Sequence, residues 1–368
     1  MPKKLDLPKM DYVLLGLVLT LLAFGLLALS SASSVLSFER FGNNHFYVLR
    51  QITFGAIPGL ILLYFFSRIN YHVWQKFAPL LVLIGMVLLV LVLIPGIGFA
   101  VGGARRWIDF GYFLFQPAEF VKLAIIFYLA SWYDKRKLNA NDLYYGFLPT
   151  LFIVGIISGL IILEPDLGTM VGLALIAATM FFVGGAKIKH LFSTALASLL
   201  VLWLLIKAAP YRLERIVAYF NPQVDQQGIS YQINQALLAI GSGGLWGTGF
   251  GQSRQKFNYL PETIGDSIFA IMSEELGFVR MTILLLILLF FAFRGYKIAK
   301  NAPDVFGKLV AAGITSWLVF QSLMNIGGIT AIIPLAGIPL PFISYGSSAL
   351  AISLASIGVL LNISRFSE

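Results

Sequence analysis

The sequence predicts an all-α polytopic membrane protein of about ten transmembrane helices, with one long extracytoplasmic loop between the seventh and the eighth. Hydrophobic residues make up 58% of the 368-residue chain and charged residues only 12%, whereas soluble domains carry about half apolar and about a quarter charged residues. The apolar residues also fall into runs of about 20, the length of helix that crosses the hydrocarbon core of a bilayer. Both observations exclude an ordinary water-soluble domain.

Ten apolar runs are the predicted spans. They cover residues 12–32, 47–67, 77–94, 116–133, 144–163, 166–185, 190–208, 266–293, 308–328 and 343–363. Lysines precede the first run, as in a signal peptide, but the run is longer than the apolar core of such a peptide and shows no A-x-A pattern. We therefore expect an uncleaved first helix and one membrane domain over residues 1–368.

The positions of lysine and arginine predict the orientation of these spans. With the N-terminus inside, the cytoplasmic connections hold basic clusters and both termini are cytoplasmic. Nine or eleven spans would put the tail 364–368 outside and break this pattern. The same rule accounts for the net charge of +9, so we expect no nucleic acid partner. The absence of cysteine excludes disulfides and thiolate metal sites.

Three connecting segments carry signals of their own. Residues 209–265 form the longest loop, and its 231–240 stretch has the apolar spacing of an amphipathic helix on the membrane surface. Residues 95–115 combine paired arginines with alternating aromatics, which suits a short interfacial or re-entrant element. Before the last span, three prolines (Pro334, Pro339 and Pro341) prevent a regular helix, so we expect this segment to line a cavity.

Ionisable residues at membrane depth are costly, so each is a candidate functional residue. Glu119 and Lys122 lie three residues apart on one helical face, where they can form a pair that fixes packing or a polar surface used in catalysis. Pro165 ends a helix, after which Asp166 can cap the next helix or belong to a polar site. Glu164 has no capping role, and we assign it to a polar site near the outer boundary.

The end of the long loop is rich in glycine. Glycines between positions 241 and 251 give a backbone that can turn tightly and approach a ligand closely. Arg254 and Lys256 follow at once. They can hold phosphate groups, or they are two ordinary surface charges on a flexible loop.

Asp266 stands at the mouth of the eighth span, close to Glu262, and Glu274 and Glu275 follow about two turns deeper. A carboxyl held at a partly apolar boundary can have a raised pKa, which a general base working near neutral pH needs. Capping of the eighth span explains the position of Asp266 equally well.

These segments together resemble the SEDS family of shape, elongation, division and sporulation proteins, which includes FtsW and RodA. The matching stretches occur in order along most of the chain from the third span onward, and several motifs at consistent spacing make the resemblance specific. They are GARRWIDFGYFLFQPAEFVKLA (103–124), EPDLGT (164–169), FNPQVDQQGISYQINQALLAIGSGGLWGTGFGQSRQKFNYLPE (220–262), DSIFAIMSEELGF (266–278) and IPLAGIPLPFISYGSSAL (333–350). The sequence of the third stretch is more similar to FtsW than to RodA.

The resemblance implies a ten-helix peptidoglycan glycosyltransferase of the bacterial cytoplasmic membrane. Such proteins polymerise lipid II, an undecaprenyl-diphosphate-linked disaccharide-pentapeptide, at the outer membrane face. They work with a class B penicillin-binding protein that crosslinks the product, and with other division or elongation proteins. The family's catalytic acid falls at Asp266, its basic loop region at Arg254 and Lys256, and its polar helix-four motif at Gln116, Glu119 and Lys122.

The sequence departs from the family pattern at several positions. Ile264-Gly265 stands where many members have His-Thr, Glu164 where Gln is common, Ala118 where Ser is common, and Ser347 where Gly is common. The aspartate is retained, so we still expect the activity.

Glycosyl transfer between two lipid-linked sugars asks little of a protein acid, because diphosphate is already a competent leaving group. What remains is removal of the proton from the acceptor 4-hydroxyl, which the carboxylate of Asp266 can do. Basic side chains can offset charge on the departing diphosphate, and a divalent cation such as Mg²⁺ or Mn²⁺ can do the same. The remaining residues expected to bind substrate are Arg105, Arg106, Glu262 and Ser344. The polyprenyl chains are expected in the gap between the fourth, eighth and tenth spans.

The alternative is a flippase or transporter that moves lipid II across the membrane unchanged. A central cavity lined by Glu119, Lys122 and Glu164 would serve that task. A carrier, however, needs midplane charges and alternating access, whereas the distinctive residues of this chain concentrate towards one face. This placement favours the polymerase, with membrane lipids as its surroundings.

Overall fold

Twelve helices are defined in the described part of the chain, which is residues 10–101, 103–135, 148–186, 188–207, 213, 217, 219, 220 and 228–367 of a computed structural model. They confirm the all-α polytopic fold class. In order they are α1 (Tyr12–Ala32), α2 (Ser34–Phe41), α3 (Phe46–Arg68), α4 (His72–Leu93), α5 (Pro117–Lys135), α6 (Leu148–Leu163), α7 (Leu167–Val183), α8 (Ile188–Lys207), α9 (Ile229–Ser242), α10 (Ile268–Lys300), α11 (Val305–Ile329) and α12 (Ser347–Ser364).

All ten predicted spans have a helix in the structure. Six of these helices are long and apolar enough to cross a membrane, namely α1, α3, α4, α10, α11 and α12. Helices α6 and α7 and the apolar part of α8 are shorter, and α5 carries the charged pair Glu119 and Lys122. Residues 144–147 of the predicted fifth span and residue 208 of the predicted seventh span lie outside the described residues. So do residues 209–212 at the start of the predicted long loop.

The bundle is built around its two most buried spans, α11 and α12. Helix α11 packs against α5, α7 and α10, and α12 packs against α3. Small residues allow the close α3–α12 approach, because a Cβ on Gly59 would come within 3.0 Å of the Ala351 Cα atom. The peripheral helices leave their apolar side chains exposed, as lipid-facing surfaces require.

Helix α4 begins earlier than predicted, at His72 instead of residue 77, and runs through Pro79. Proline lacks the N–H that would bond the carbonyl of Gln75 four residues back. The hydroxyl of Ser131, on α5, donates to that freed carbonyl at 3.2 Å. A neighbouring helix thus satisfies the backbone, which is how membrane helices tolerate proline.

The aromatic segment 95–115 contains a small antiparallel sheet. Its strands are β1 (Gly98–Val101), β2 (Ala104–Asp109) and β3 (Leu114–Phe115), in that spatial order. The alternating side chains had suggested an interfacial or re-entrant element, and the same two-residue period is also that of a strand. Pairing of Trp107 with Phe99 places β2 at the centre of the sheet.

Helix α10 is broken at Gly277, which has a left-handed φ of 77°. The predicted eighth span, residues 266–293, falls on this helix, and the break within it was not predicted from the sequence. The break frees backbone groups, and the glycine-rich loop bonds them: Thr248 N donates to Glu274 O at 2.9 Å, and Phe278 N donates to Gly244 O at 2.9 Å. Gly247 lies against the helix so closely that a Cβ there would come within 2.2 Å of Glu275 O.

Candidate active site

The predicted catalytic aspartate lies in a turn held by its backbone, which we call the Asp266 junction (residues 264–266). Ser344 Oγ donates to Gly265 O at 2.7 Å, and Tyr345 N donates to Ile264 O at 2.8 Å. Asn325 Nδ2, from α11, donates to Asp266 O at 3.1 Å. Three successive carbonyls are therefore fixed by two different parts of the fold, and the half-buried Asp266 side chain starts from a defined position.

Ser267, not Asp266, occupies the N-cap position of α10. The Ser267 hydroxyl donates to Pro261 O at 2.8 Å and accepts from Gln232 Nε2, on α9, at 3.1 Å. The N-cap position that the spacing had also allowed for Asp266 is therefore held by Ser267. Glu262 is exposed, and its carbonyl accepts from the N–H groups of Gly265 and Ser267 at 3.1 Å each.

The proline-broken segment 330–346 is non-helical, as predicted for the part before residue 343, and α12 begins at Ser347, later than predicted. Buried amide side chains satisfy the backbone of this segment. Asn325 Nδ2 also donates to Ile338 O at 2.8 Å, and Gln321 Nε2 donates to Pro339 O at 3.0 Å. From α3, Gln51 donates to Ser344 O at 3.3 Å and accepts from Gly346 N at 3.1 Å. Within the segment, Ser344 Oγ accepts from Leu340 N at 2.9 Å.

Gln51, Gln321 and Asn325 were not predicted from the sequence. Each is an amide within an apolar span and is at most 6% exposed. Polar side chains at membrane depth are costly unless they are bonded. This cost makes an amide within an apolar run a candidate for a structural or functional role, just as it does a charged residue. Only the charged residues were predicted on this ground.

Glu119 and Lys122 form the predicted pair, with 2.7 Å between Lys122 Nζ and Glu119 Oε1. Lys122 Nζ also donates to Gln321 Oε1 at 2.7 Å and lies 4.9 Å from the centre of the Trp317 ring. Because Gln321 bonds Pro339 as well, this buried network reaches the same proline-broken segment that holds the Asp266 junction. The N–H of Gln116 donates to Ser348 Oγ, in the first turn of α12, at 3.1 Å.

The glycine-rich loop closes over two buried carboxylates, which we call the carboxylate clamp (Glu274 and Glu275). Ser253 Oγ donates to Glu274 Oε2 at 2.5 Å, and Arg254 N donates to Glu274 Oε1 at 3.0 Å. Glu275 accepts from Gly251 N at 2.9 Å, Ser253 N at 3.2 Å and Ser31 Oγ at 2.7 Å. Loop and helix are thereby locked together.

Lys256 belongs to this clamp. Its ammonium bonds Glu275 Oε1 at 3.2 Å and Gly251 O at 2.6 Å, and the residue is only 5% exposed. It is engaged by the protein and does not face an open phosphate site. The side chain of Arg254 is exposed. Of the two predicted loop cations, Arg254 is therefore the exposed one and Lys256 the buried one.

Glu164 and Asp166 lie in the turn between α6 and α7. Asp166 is the N-cap of α7, where its Oδ1 accepts from Thr169 N at 3.0 Å. Arg106, on β2, donates to Glu164 O at 3.1 Å and to Pro165 O, and so ties the sheet to this turn. Arg105 is exposed.

The Glu164 carboxyl is fully buried, and neither oxygen has a hydrogen-bond partner among the described residues. The turn lies outside both helices. Desolvation raises the pKa of Glu164 from 4.5 to about 9, the charge of Asp166 adds to the rise, and Arg106 opposes it. Glu164 is therefore neutral near pH 7, which makes it a hydrogen-bond donor and not an anionic group.

A divalent cation finds no preformed cage in the described residues, where no three His, Asp or Glu side chains are grouped to hold one. Mg²⁺ usually keeps several waters and combines one or two carboxylates with substrate phosphates. The cation stays a prediction, with substrate oxygens as its main ligands.

The chain matches the family of cell cycle proteins FtsW, RodA and SpoVE over residues 12–368. The stage V sporulation protein E of Bacillus subtilis (strain 168) is 45% identical over 361 residues, which cover 97% of this chain and 98% of that protein. The probable peptidoglycan glycosyltransferase FtsW of Trichlorobacter lovleyi is 38% identical over 362 residues, which cover 98% of this chain and 95% of that protein.

Solved structures share the fold over nearly the whole chain. The crystal structure of the rod shape determining protein RodA of Thermus thermophilus matches with a TM-score of 0.70 at 27% identity, covering 99% of this chain and 98% of that one. A chain described under the structural coordination of polymerization and crosslinking by a peptidoglycan synthase complex matches with a TM-score of 0.76 at 25% identity, covering 97% and 98%.

Proposed function

The chain belongs to the FtsW, RodA and SpoVE family of cell cycle proteins and is a peptidoglycan glycosyltransferase, and we propose that it polymerises lipid II with Asp266 as the general base. One observation carries the assignment to Asp266: the carbonyls of residues 264, 265 and 266 are each bonded by a group from the proline-broken segment or α11. A base must hold its carboxylate within reach of one hydroxyl. A fixed backbone at a half-buried position supplies that.

In the proposed reaction, the acceptor sugar's 4-hydroxyl oxygen attacks the anomeric carbon of the donor. The bond between the anomeric carbon and the diphosphate oxygen breaks, and the lipid diphosphate leaves with the electron pair. Asp266 takes the hydroxyl proton, and direct displacement inverts the anomeric centre. Arg254 and Arg105, both exposed cations, are available to offset the charge that develops on the leaving group.

The apolar lipid chain requires a wall of its own. A cavity of about 630 Å³ lies between α6, α7 and α8, lined by side chains such as Val154, Ala174, Phe181 and Leu199. Its lining is apolar, which suits a polyprenyl chain. We therefore place the lipid chain here, and not between the fourth, eighth and tenth spans where it was expected from the sequence.

The multi-pass helices place the protein in a membrane, and we propose the bacterial cytoplasmic membrane with both termini inside. Asp266 then faces the side where crosslinking occurs. A class B penicillin-binding protein is the partner we propose, because glycan strands need crosslinking and a related chain comes from a peptidoglycan synthase complex. Other division or elongation proteins would bind the same assembly.

The decisive experiment is polymerisation of labelled lipid II by the purified full chain, alone and with its penicillin-binding protein. Wild-type protein should produce glycan strands, and Asp266→Asn should not. Asp109→Asn is the matched control, because Asp109 is exposed at the end of β2 and its Oδ1 bonds only Gly111 N at 2.7 Å among the bonds described for it. Movement of lipid II across vesicles without any glycan product would support the transporter alternative instead.

A further inference from the structure

A second cavity, which is polar, lies at the end of α10 that is opposite to Asp266. It has a volume of about 380 Å³ and opens where α1 begins and where α10 and α12 end. Its lining includes Asp11, Arg294, Lys297, Asn301 and Ser364. Nothing in the glycosyl transfer uses these residues, because they are separated from the Asp266 junction by the length of α10.

Positive charge exceeds negative charge in this cavity. Of the described residues that line it, Arg294 and Lys297 are cations and Asp11 is the one carboxylate. Asp11 is already engaged: its Oδ1 accepts from Leu14 N at 2.9 Å as the N-cap of α1, and its Oδ2 accepts from Arg294 Nη2 at 2.5 Å. One carboxylate therefore balances one of two cations, and Lys297 remains to attract an anion.

Two guanidinium groups at this end have unused donors. Arg294 Nε is buried and has no hydrogen-bond partner among the described residues, and the same holds for Arg365 Nε just after α12. A further nitrogen of Arg365 reaches only the Met10 sulfur, at 3.8 Å, and Met10 lines the cavity. Leaving a buried donor unsatisfied costs about 1–3 kcal/mol. Phosphate oxygens are the acceptors that arginine binds best.

The surroundings of the cavity are those of a lipid. Tyr12 and Val13 line it at the first turn of α1, and they are 68% and 47% exposed. Phe290 and Phe293 are exposed on α10, one turn before and beside Arg294. A cationic pocket at the end of spanning helices, continued by exposed apolar side chains, matches a phosphate headgroup followed by acyl chains.

We propose that this cavity binds the phosphate of an anionic phospholipid headgroup, whose acyl chains lie along the exposed faces of α1 and α10. Arg294 and Lys297 bind the phosphate, and the headgroup lies against Asn301, which lines the same cavity. With the proposed orientation, the lipid comes from the cytoplasmic leaflet. The inference is independent of the chemistry at Asp266.

The test uses the purified full chain, stripped of lipid in detergent and titrated with phosphatidylglycerol or with phosphatidylcholine of the same acyl chains. Bound lipid is counted by native mass spectrometry, and the shift in melting temperature is measured in parallel. Phosphatidylglycerol should bind and stabilise, and phosphatidylcholine should do so much less. Equal binding of both lipids would overturn the proposal. So would equal stabilisation by inorganic phosphate, since the site would then be one for a soluble anion.

Three variants sharpen the test. Lys297→Gln should weaken phosphatidylglycerol binding about tenfold, the loss of one charge-assisted contact. Asp11→Asn should strengthen binding, because it removes the competing charge while its side-chain oxygen can still cap α1. Lys300→Gln is the matched control, since Lys300 is exposed on the same last turn but does not line the cavity. An equal loss in Lys300→Gln would mean diffuse attraction to a basic surface and would refute a specific site.

Discussion

The Asp266 junction and the carboxylate clamp place acidic residues on the same stretch of chain in opposite circumstances. In the clamp, loop N–H groups, hydroxyls and Lys256 bond the carboxylates themselves. At the junction, the protein bonds the backbone carbonyls of residues 264–266. Carboxylates saturated with donors hold a structure together. A fixed backbone, as at Asp266, is what the proposed general base requires, and this contrast distinguishes Asp266 from Glu274 and Glu275.

The sharpest test of this contrast is Asp266→Asn. We expect polymerisation to fall by at least ~100-fold, the usual contribution of a general base. The melting temperature should fall less than in a clamp variant, because the printed bonds to the carbonyls of residues 264–266 do not depend on the substituted side chain. A large loss of thermal stability would place Asp266 with the clamp residues.

Glu275→Ala should have the converse effect. It leaves the Lys256 ammonium buried without its carboxylate, and breaking a buried pair costs roughly 3–5 kcal/mol. We expect a marked drop in melting temperature and early proteolysis of the loop. Lys256→Met should cost less, because Glu275 keeps its bonds from Ser31, Gly251 and Ser253. If Lys256→Met lost activity with full stability, Lys256 would instead act on substrate.

Glu164 extends the contrast to a buried carboxyl without donors. Its pKa is raised to about 9, so the stability tied to its neutral form is fully present below pH 4.5 and is lost as the pH rises towards 9. Glu164→Gln should remove this dependence. Thermal unfolding between pH 5 and 9 should show the variant gaining on wild type as the pH rises. Parallel curves for the two proteins would argue against the raised pKa.

Asn325→Ala should have the smallest effect of the four. It removes the donor to Asp266 O and Ile338 O, which costs about 1–3 kcal/mol where the carbonyls stay buried. We expect kcat to fall about tenfold if the displaced Asp266 loses about 1.4 kcal/mol of transition-state stabilisation, with the pH profile unchanged in shape because the proposed base is retained. An altered pH profile would show that Asn325 acts on the reacting groups directly.

Local sequence patterns predicted much of this. Each of the ten apolar runs predicted a helix that the structure contains, since crossing a bilayer demands length and apolarity that are visible in any single segment. Pro165 and the prolines of segment 330–346 marked helix breaks because proline lacks the backbone N–H that a helix needs. The Glu119–Lys122 pair followed from helical spacing alone. In contrast, the break at Gly277 was missed, because its freed carbonyls are satisfied by a loop some 30 residues earlier in the chain.

What the sequence alone determined is therefore the membrane bundle, its long loop and the set of candidate acids. Only the tertiary structure decided which carboxylates are bonded within the protein, as those of Glu274 and Glu275 are, and which acid is held through its backbone, as Asp266 is. Lys256 and Arg254 are two residues apart, yet one is buried against Glu275 and the other is exposed. Hydropathy and spacing act along the chain, whereas hydrogen-bond partners such as Ser31, Asn325 and Ser344 come from segments that are distant in sequence. Their arrival depends on packing, which no local pattern encodes.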